Sequence, residues 1–414
     1  MTILVYNVKE LFGTHTSNNV LRGKEVAVLP SIKNAYVIVE DEQIAAIGRM
    51  DQLQHPPQNF SERFDASARL VLPSWCDSHT HLVFAGSREA EFIDKIKGLS
   101  YAEIAARGGG ILASAKRLNE ITEDELFIQS YKRLQELTQL GTGAIEIKSG
   151  YGLSVDSEIK MLRVIKRLKE AAKIPIKATF LGAHAFPAEY KENKEAYINL
   201  ILHEMLPVIA KEKLAEYIDV FCEEGFFTTE QTERICRAGR GYGLKPKLHV
   251  NQLHSIGGVQ TGLKLNAVSL DHLETMTAED IRDLSETKET IGTLLPSAAF
   301  FLRMAYQPAR KLVDAGCAVA LASDFNPGSS PSGNMNFVVA LSCIQMRLLP
   351  EEAINAATLN GAAAMELQNE VGSIGVGKKA NLLITKPVPS LAYLPYSFGE
   401  NLLEKVMLAG EWVL

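Results

Sequence analysis

Residues 70–81 read LVLPSWCDSHTH, an apolar run followed by two histidines that are separated by a single residue. In a strand, side chains two positions apart point to the same face, so His79 and His81 project together. Two imidazoles on one face make half of a metal site. The pair alone is a weak motif, and its meaning depends on the residues that end the other strands.

Apolar runs of strand length recur through the middle of the chain. They alternate with amphipathic helical segments, of which residues 156–173 and 188–211 are examples. The runs are nearly continuous in hydrophobicity, as expected of parallel strands buried on both faces. Eight such strands alternating with helices predict an α/β protein with a (β/α)8 TIM barrel over residues 71–372. The predicted strands are Leu70–Leu72, Gly143–Ile147, Ile176–Leu181, Tyr217–Phe221, Lys247–Val250, Ala267–Leu270, Thr290–Leu294 and Ala318–Ala322.

The two ends of the chain have a different pattern. Runs such as Tyr36–Val39 near the start and Asn381–Thr385 near the end have strand character. Chain termini often lie close together in a folded domain. We therefore expect residues 1–70 and 373–414 to form one small, discontinuous β-sandwich-like domain.

Composition excludes several classes of function. The chain has 414 residues, of which 46% are hydrophobic and 22% charged, as in ordinary globular proteins. A net charge of -6 argues against nucleic-acid or anionic-membrane partners, and no apolar run approaches the ~20 residues of a membrane span. The first residues lack a basic segment before an apolar stretch, so we expect no secretory signal. Five scattered cysteines indicate reduced thiols and a cytoplasmic location.

Histidines concentrate at the ends of the predicted strands, where the chemistry of such a barrel gathers. His184 follows the third strand, and His249 and His272 lie at the ends of the fifth and sixth. Together with the first pair, these are five of the nine histidines, and Asp324 follows the eighth strand. Imidazole and carboxylate ligands suit zinc or iron. The sequence therefore predicts a metal site at the carboxyl ends of the strands.

This arrangement resembles the amidohydrolase superfamily, which has HxH after strand one, a histidine after strands five and six, and an aspartate after strand eight. The segments VLPSWCDSHTH and VGSIGVGKKANLLI are similar to its passages between barrel and flanking β-domain. The resemblance implies a metal-dependent hydrolase with catalytic roles for Asp324, His272 and Gln252. Members with two ions carry a bridging lysine at the end of strand four, and none is found there. We therefore expect one Zn or Fe ion per subunit, held by His79, His81, His249 and Asp324.

Six segments are similar to a narrower branch of that superfamily, which opens 4-imidazolone-5-propanoate to N-formimidoyl-L-glutamate in histidine degradation. They are FAGSREAEF (84–92), RGGGI (107–111), EIKSGYGL (146–153), TFLGAHAFP (179–187), KLHVNQL (247–253) and SDFNPGSSP (323–331). The resemblance implies a homodimer that acts on a small molecule. Because that substrate carries a propionate, the guanidinium of Arg88 is the expected partner of its carboxylate. The implied substrate contacts are Arg88, Tyr151, His184, Asn326, Gly328 and Ser329.

Two alternatives remain open at this point. A mononuclear aminohydrolase acting on a purine or pyrimidine ring would need a glutamate to protonate that ring, and Gln252 in that region cannot ionise. A barrel that has lost catalysis and serves as an assembly protein would have broken ligands. All four implied ligands are present.

Overall fold

The computed structural model describes residues 2–99, 103 and 109–414. Arg107 and Gly108 of the RGGGI segment lie outside the described residues. Within the described part, the strands form two separate sheets of eight strands each. No helix among the described residues is long and apolar enough to cross a lipid bilayer.

The first sheet brings the two ends of the chain together. Its strand order is β16-β15-β14-β5-β1-β2-β3, with β4 pairing in parallel with β1. The predicted pairing of the N- and C-terminal segments is thus confirmed, because β5 lies between β1 and β14. The bounds are β1 Thr2–Phe12, β2 Ser31–Glu40, β3 Gln43–Arg49, β4 Glu62–Asp65, β5 Leu70–Pro73, β14 Leu382–Thr385, β15 Leu403–Leu408 and β16 Glu411–Trp412.

The second sheet is the predicted TIM barrel. Its strands run in chain order, and each pairs in parallel with the next. Two hydrogen bonds join the last strand's exit to the first strand: Asp324 N donates to His79 O at 3.0 Å, and His81 N donates to Phe325 O at 2.9 Å. The bounds are β6 Trp75–Thr80, β7 Thr142–Lys148, β8 Ile176–Ala183, β9 Tyr217–Cys222, β10 Lys245–Val250, β11 Ser269–His272, β12 Ile291–Leu294 and β13 Val319–Leu321.

One predicted strand belongs to the other sheet. The run Leu70–Leu72 was expected to open the barrel, but it lies in β5, between β1 and β14. The first barrel strand begins at Trp75, and Ser74 is the single residue that connects the two sheets. A short apolar run that is buried on both faces has the same composition in either sheet, which is why the prediction was wrong. The domain boundary at residues 70 and 71 stays a prediction, and β5 spans it.

The helices cover the outside of the barrel between successive strands. The predicted helix at 156–173 is found at Val155–Ala171, whereas the segment 188–211 is broken by a π-helical turn at Ile201–Met205. That turn precedes Pro207, which lacks the N–H that an α-helical bond to residue 203 needs. The α-helices described are Glu89–Ile96, Ile111–Glu120, Glu123–Gln139, Val155–Ala171, Lys194–Leu200, Leu206–Glu212, Thr229–Gly241, Gly258–Lys264, Ala278–Glu286, Pro296–Leu302, Ala309–Asp314, Met335–Met346, Pro350–Ala357, Leu359–Ala363 and Tyr393–Tyr396, with 3-10 turns at Gly23–Ala27, Met50–Gln52, Pro57–Asn59 and Ala188–Tyr190.

Candidate active site

The predicted ligands meet at the carboxyl end of the barrel. Nε2 of His79 and Nε2 of His81 each lie 3.5 Å from Oδ1 of Asp324. The ring of His249 is centred 4.5 Å from that of His79. Donor atoms of His79, His81 and Asp324 lie within 4.8 Å of one another, and so do those of His79, His249 and His272. The sequence-predicted cluster therefore forms one compact group, with His272 at its side.

The chemistry of this group fits a divalent cation. Nε2 of His79 and Nε2 of His249 are buried and have no hydrogen-bond partner among the described residues. Buried polar atoms are rarely left unpaired in folded proteins. Burial lowers the pKa of His79, His81 and His249 well below the ordinary value, so the rings are neutral and can offer lone pairs. A metal ion satisfies both observations.

Two carboxylates orient these imidazoles from below, and sequence reasoning missed both. Oδ2 of Asp271 lies 2.7 Å from Nδ1 of His79, and Oδ2 of Asp219 lies 2.9 Å from Nδ1 of His249. Both aspartates are fully buried. The contact at His79 is a hydrogen bond, and such a bond keeps the proton on Nδ1 and leaves Nε2 free for a metal. Nδ1 of His249 has no hydrogen-bond partner among the described residues, so Asp219 acts there through its position and charge. The available signal was an acidic residue inside otherwise apolar runs such as YIDVF (217–221).

Asp324 sits at a strained bend after β13. Its φ is 52°, in the left-handed region, and burial raises the pKa of its carboxyl to about 6. Ser329 Oγ donates to its Oδ2 at 3.1 Å. The loop beyond folds on Asn326, whose Oδ1 accepts the N–H groups of Gly328 and Ser329, both at 2.8 Å. The backbone donors of Gly328 and Ser329, two of the implied substrate contacts, are therefore already used inside the loop.

A cavity opens above the cluster at this end of the barrel. It brings together most of the predicted site residues, and Phe221 adds an apolar wall that the sequence did not indicate. His79, Arg88 and Gly328 are not among the lining residues in the described part of the chain. The lining is His81, Tyr151, His184, Phe221, His249, Gln252, His272, Asp324, Asn326 and Ser329.

Arg88 is held beside this cavity by an acidic residue that the sequence did not single out. Its Nε and Nη2 donate to Oε2 of Glu91 at 2.9 and 2.5 Å. The other oxygen of Glu91 accepts Gly110 N at 3.0 Å. Nη1 of Arg88 lies against Gly328, where an added Cβ would collide with it. Glu91 thus fixes the guanidinium next to the loop that follows Asp324.

Replacing Gly328 by Ala is expected to displace Arg88 and to raise KM at least about tenfold, because one charged hydrogen bond contributes roughly 1.5–3 kcal/mol. The displacement would also disturb the two hydrogen bonds that Arg88 donates to Glu91. Steady-state kinetics with the substrate proposed below measure the change. Gly375→Ala is the control, because an added Cβ there meets nothing within 4 Å. An unchanged KM in Gly328→Ala would show that Arg88 does not bind the substrate.

Tyr151 and His184 are positioned by one tight turn. Nδ1 of His184 lies 2.9 Å from Gly150 O, so this nitrogen carries the proton and donates to the carbonyl. Burial lowers the pKa of His184 to about 4, which leaves the ring neutral with Nε2 as an acceptor. The rings of Tyr151 and His184 are 5.4 Å apart, edge to face. The pair forms one wall of the cavity.

A buried carboxylate, Glu158, organises that turn. It accepts three backbone N–H groups, from Gly150 at 2.9 Å, Gly152 at 2.7 Å and Leu153 at 3.1 Å. The contact needs glycine at 152, because an added Cβ would lie 2.5 Å from Glu158 N. Glu158 was not predicted from the sequence, where it reads as one more polar residue on a helix.

Glu158→Gln is expected to raise KM about tenfold and to change kcat much less. The amide places a donor against a backbone donor, which costs roughly 1–3 kcal/mol and loosens the turn that presents Tyr151. Steady-state kinetics measure both constants. Glu170→Gln is the matched control, because it makes the same change at an exposed position of the same helix. Equal kinetics in the two variants would show that the turn does not depend on Glu158.

His272 and Gln252 are held by acidic residues of their own. Nδ1 of His272 lies 3.4 Å from Oε1 of Glu274, which also accepts Gln307 Nε2 at 2.8 Å. Glu223 accepts the N–H groups of Leu253 at 2.9 Å and His254 at 3.3 Å, the residues that follow Gln252. His272 and the loop that follows Gln252 are therefore each fixed by a buried carboxylate.

Known proteins match the chain along its whole length. The profile of the Amidohydrolase family matches residues 70–413. An imidazolonepropionase of Flavobacterium johnsoniae is 58% identical over 412 residues, 99% of this chain and 100% of that protein. An imidazolonepropionase of Christiangramia forsetii is 54% identical over 414 residues, all of both chains. The crystal structure of an atrazine chlorohydrolase mutant of Arthrobacter aurescens, complexed with zinc and atraton, has the same fold, with a TM-score of 0.72 at 14% identity over 99% of this chain and 94% of that chain. The chain therefore belongs to the amidohydrolase family, and these two relatives, matched over nearly its full length, are imidazolonepropionases.

Proposed function

We propose that the protein hydrolyses the ring amide of 4-imidazolone-5-propanoate and releases N-formimidoyl-L-glutamate, a step of histidine degradation. The observation that carries this proposal is the 58% identity to an imidazolonepropionase over 99% of the chain. The cavity supports it, because neutral imidazoles, a buried carboxylate and an amide suit a small polar ring. Gln252 in the lining cannot ionise, which disfavours deamination of a purine or pyrimidine.

One Zn or Fe ion per subunit would be held by His79, His81, His249 and Asp324. The unpartnered Nε2 atoms of His79 and His249 support this assignment, and imidazole with carboxylate suits either metal. Bound there, a divalent ion would supply Lewis acidity, which lowers the pKa of water to about 7. The donor atoms of His272 also lie close to those of His79 and His249. We nevertheless assign His272 to substrate binding and not to the metal, because its side chain lines the cavity.

The residues of the chain then handle protons and charge. Water adds to C4 of the ring, the C4–N3 bond breaks, and N3 takes a proton. Asp324 is the group that accepts the proton from water and passes it to N3, because it is buried at the cavity floor. His272 and Gln252 line the same cavity and hydrogen-bond the oxygen that becomes negative as water adds.

The other residues that line the cavity or lie beside it are assigned to substrate binding. Arg88 is assigned to the propionate, since a guanidinium binds a carboxylate through two parallel hydrogen bonds. His184 offers an acceptor and Tyr151 a ring edge to the imidazolone. Asn326 and Ser329 close the side of the cavity near Asp324, and Gly328 leaves the space that Arg88 needs.

The activity test is a coupled assay. Urocanase generates 4-imidazolone-5-propanoate in place, and mass spectrometry follows N-formimidoyl-L-glutamate. We expect product formation well above a blank that contains urocanase alone. A metal-loaded, folded protein that gives no product would overturn the proposed substrate, and ammonia release from a purine would favour the aminohydrolase alternative.

We also propose a homodimer in the cytoplasm. Five free cysteines, four of them buried, support a reducing compartment. Light scattering coupled to size-exclusion chromatography tests the dimer, with a mass twice the 45.4 kDa of one chain as the expected result. A mass of one chain at micromolar concentration would contradict it.

A further inference from the structure

A layer of charged side chains lies inside the barrel beneath the histidines. It consists of two lysines and three acidic residues, all fully buried. Full burial of five charged groups is unusual, since each one must be paired to remain charged. The five are Glu146 and Lys148 of β7, Asp219 of β9, Lys247 of β10 and Asp271 of β11. This group is here named the charged layer, and within it Glu146, Lys148 and Lys247 have no role in the proposed chemistry.

Lys148 is the centre of the charged layer. Its Nζ lies 2.7 Å from Oε1 of Glu146, 2.8 Å from Oδ2 of Asp219 and 3.3 Å from Oδ2 of Asp271. The three carboxylates come from three different strands, so one ammonium joins opposite parts of the barrel wall. An ammonium has three donors, which is one for each carboxylate.

The same carboxylate oxygens touch the metal-ligating imidazoles. Oδ2 of Asp271 faces both Lys148 and Nδ1 of His79, and Oδ2 of Asp219 faces both Lys148 and Nδ1 of His249. Each oxygen therefore connects the ammonium to one imidazole. Two of the four proposed ligands are linked through a single cation.

We propose that Lys148 is a positioning residue of the metal centre, which holds Asp219 and Asp271 so that His249 and His79 present Nε2 to the ion. Without the cation, Oδ2 of Asp219 and Oδ2 of Asp271 would lose their ion pair inside the barrel, and a buried carboxylate without its cation turns towards other donors. His79 would then lose the acceptor that keeps the proton on its Nδ1, and His249 would lose the carboxylate that lies 2.9 Å from its Nδ1. The inference rests on the metal centre proposed above and is independent of the substrate.

Lys247 provides a matched control within the same layer. It is a buried lysine on the same inner surface, and its Nζ pairs with Glu146 and the carbonyls of Ser78 and Ala364. It makes no direct ion pair with Asp219 or Asp271 among the described residues. Removing Lys247 therefore disturbs the charge and packing of the layer but leaves the imidazole-orienting carboxylates with Lys148.

The test measures metal binding by the full chain. Wild type, Lys148→Met, Lys148→Gln and Lys247→Met are stripped of metal, and their thermal unfolding is recorded. The Kd for Zn²⁺ is then measured by competition with a chromophoric chelator, and the visible absorption spectrum of the Co²⁺-loaded protein reports the ligand geometry. We expect both Lys148 variants to bind Zn²⁺ about 10–100-fold more weakly with shifted Co²⁺ bands, and Lys247→Met to stay within about threefold of wild type.

Each outcome decides the proposal. A folded Lys148 variant with wild-type Zn²⁺ affinity and Co²⁺ spectrum would overturn it, and so would an equal loss in Lys247→Met, which would assign the effect to the layer as a whole. If Lys148→Met does not fold, Lys148→Gln decides, because its amide still donates hydrogen bonds while the charge is gone. Wild-type protein that binds Zn²⁺ but does not open the imidazolone would refute the proposed function and leave this result standing.

Discussion

Asp324→Asn is expected to lower kcat by at least about 100-fold, within the 10²–10⁴-fold range typical of a lost acid–base group. The amide has the shape of the carboxylate but cannot accept the proton from water. The backbone should tolerate the change, because φ at this position is 52° and asparagine adopts the left-handed region more readily than most residues. The coupled imidazolone assay measures the loss.

The control for this variant is an exposed aspartate. Asp314→Asn makes the same change in a surface side chain that is 66% exposed and paired with Arg310, and it should keep wild-type turnover. Circular dichroism melts of both variants establish that the fold is intact. Turnover by Asp324→Asn near the wild-type rate would show that another group carries the proton.

Removal of the metal is expected to reduce turnover by at least about 100-fold, since without a Lewis acid the pKa of water is not lowered and little hydroxide forms at neutral pH. Dialysis against a chelator, with the metal content followed by mass spectrometry, tests this. Added Zn²⁺ or Fe²⁺ should restore activity, and the better of the two identifies the preferred ion. Full turnover by protein that contains no metal would refute the proposed centre.

A histidine variant connects this loss to the proposed ligands. His249→Ala is expected to purify with little metal, because it removes an imidazole whose Nε2 has no other partner among the described residues. His203→Ala replaces an exposed histidine and should retain the wild-type metal content. Equal metal content in the two variants would place the ion elsewhere.

Some site residues follow from the sequence because their geometry is local. The same-face projection of His79 and His81 depends only on the two-residue period of a strand. His249, His272 and Asp324 were predicted because parallel strands of a barrel end at one rim, so a polar residue at each end must lie near the others. The cavity lining contains four of these five residues, and His79 lies in the cluster beneath it.

Other residues had no local signal. Leu70–Leu72 was assigned to the barrel because an apolar run does not tell which sheet it joins, and pairing with β1 and β14 decided this. Glu158 appears polar on an amphipathic helix, yet its carboxylate is buried under the turn of Tyr151. Glu91 is one acidic residue among several, and only the fold places it against Arg88.

The sequence by itself determined the fold class and the residues that meet at the carboxyl end of the barrel, because strand period and strand order act over short or regular distances; their roles as ligands were implied by the resemblance and stay a proposal. Only the tertiary structure decided which buried charges pair. Lys148 meets Asp219 across β8 and Asp271 further around the wall, at a depth set by strand tilt and side-chain packing. These ion pairs depend on the three-dimensional positions of side chains from different strands, which no local sequence pattern encodes. Buried charges must pair with one another because water is excluded from the interior of the barrel.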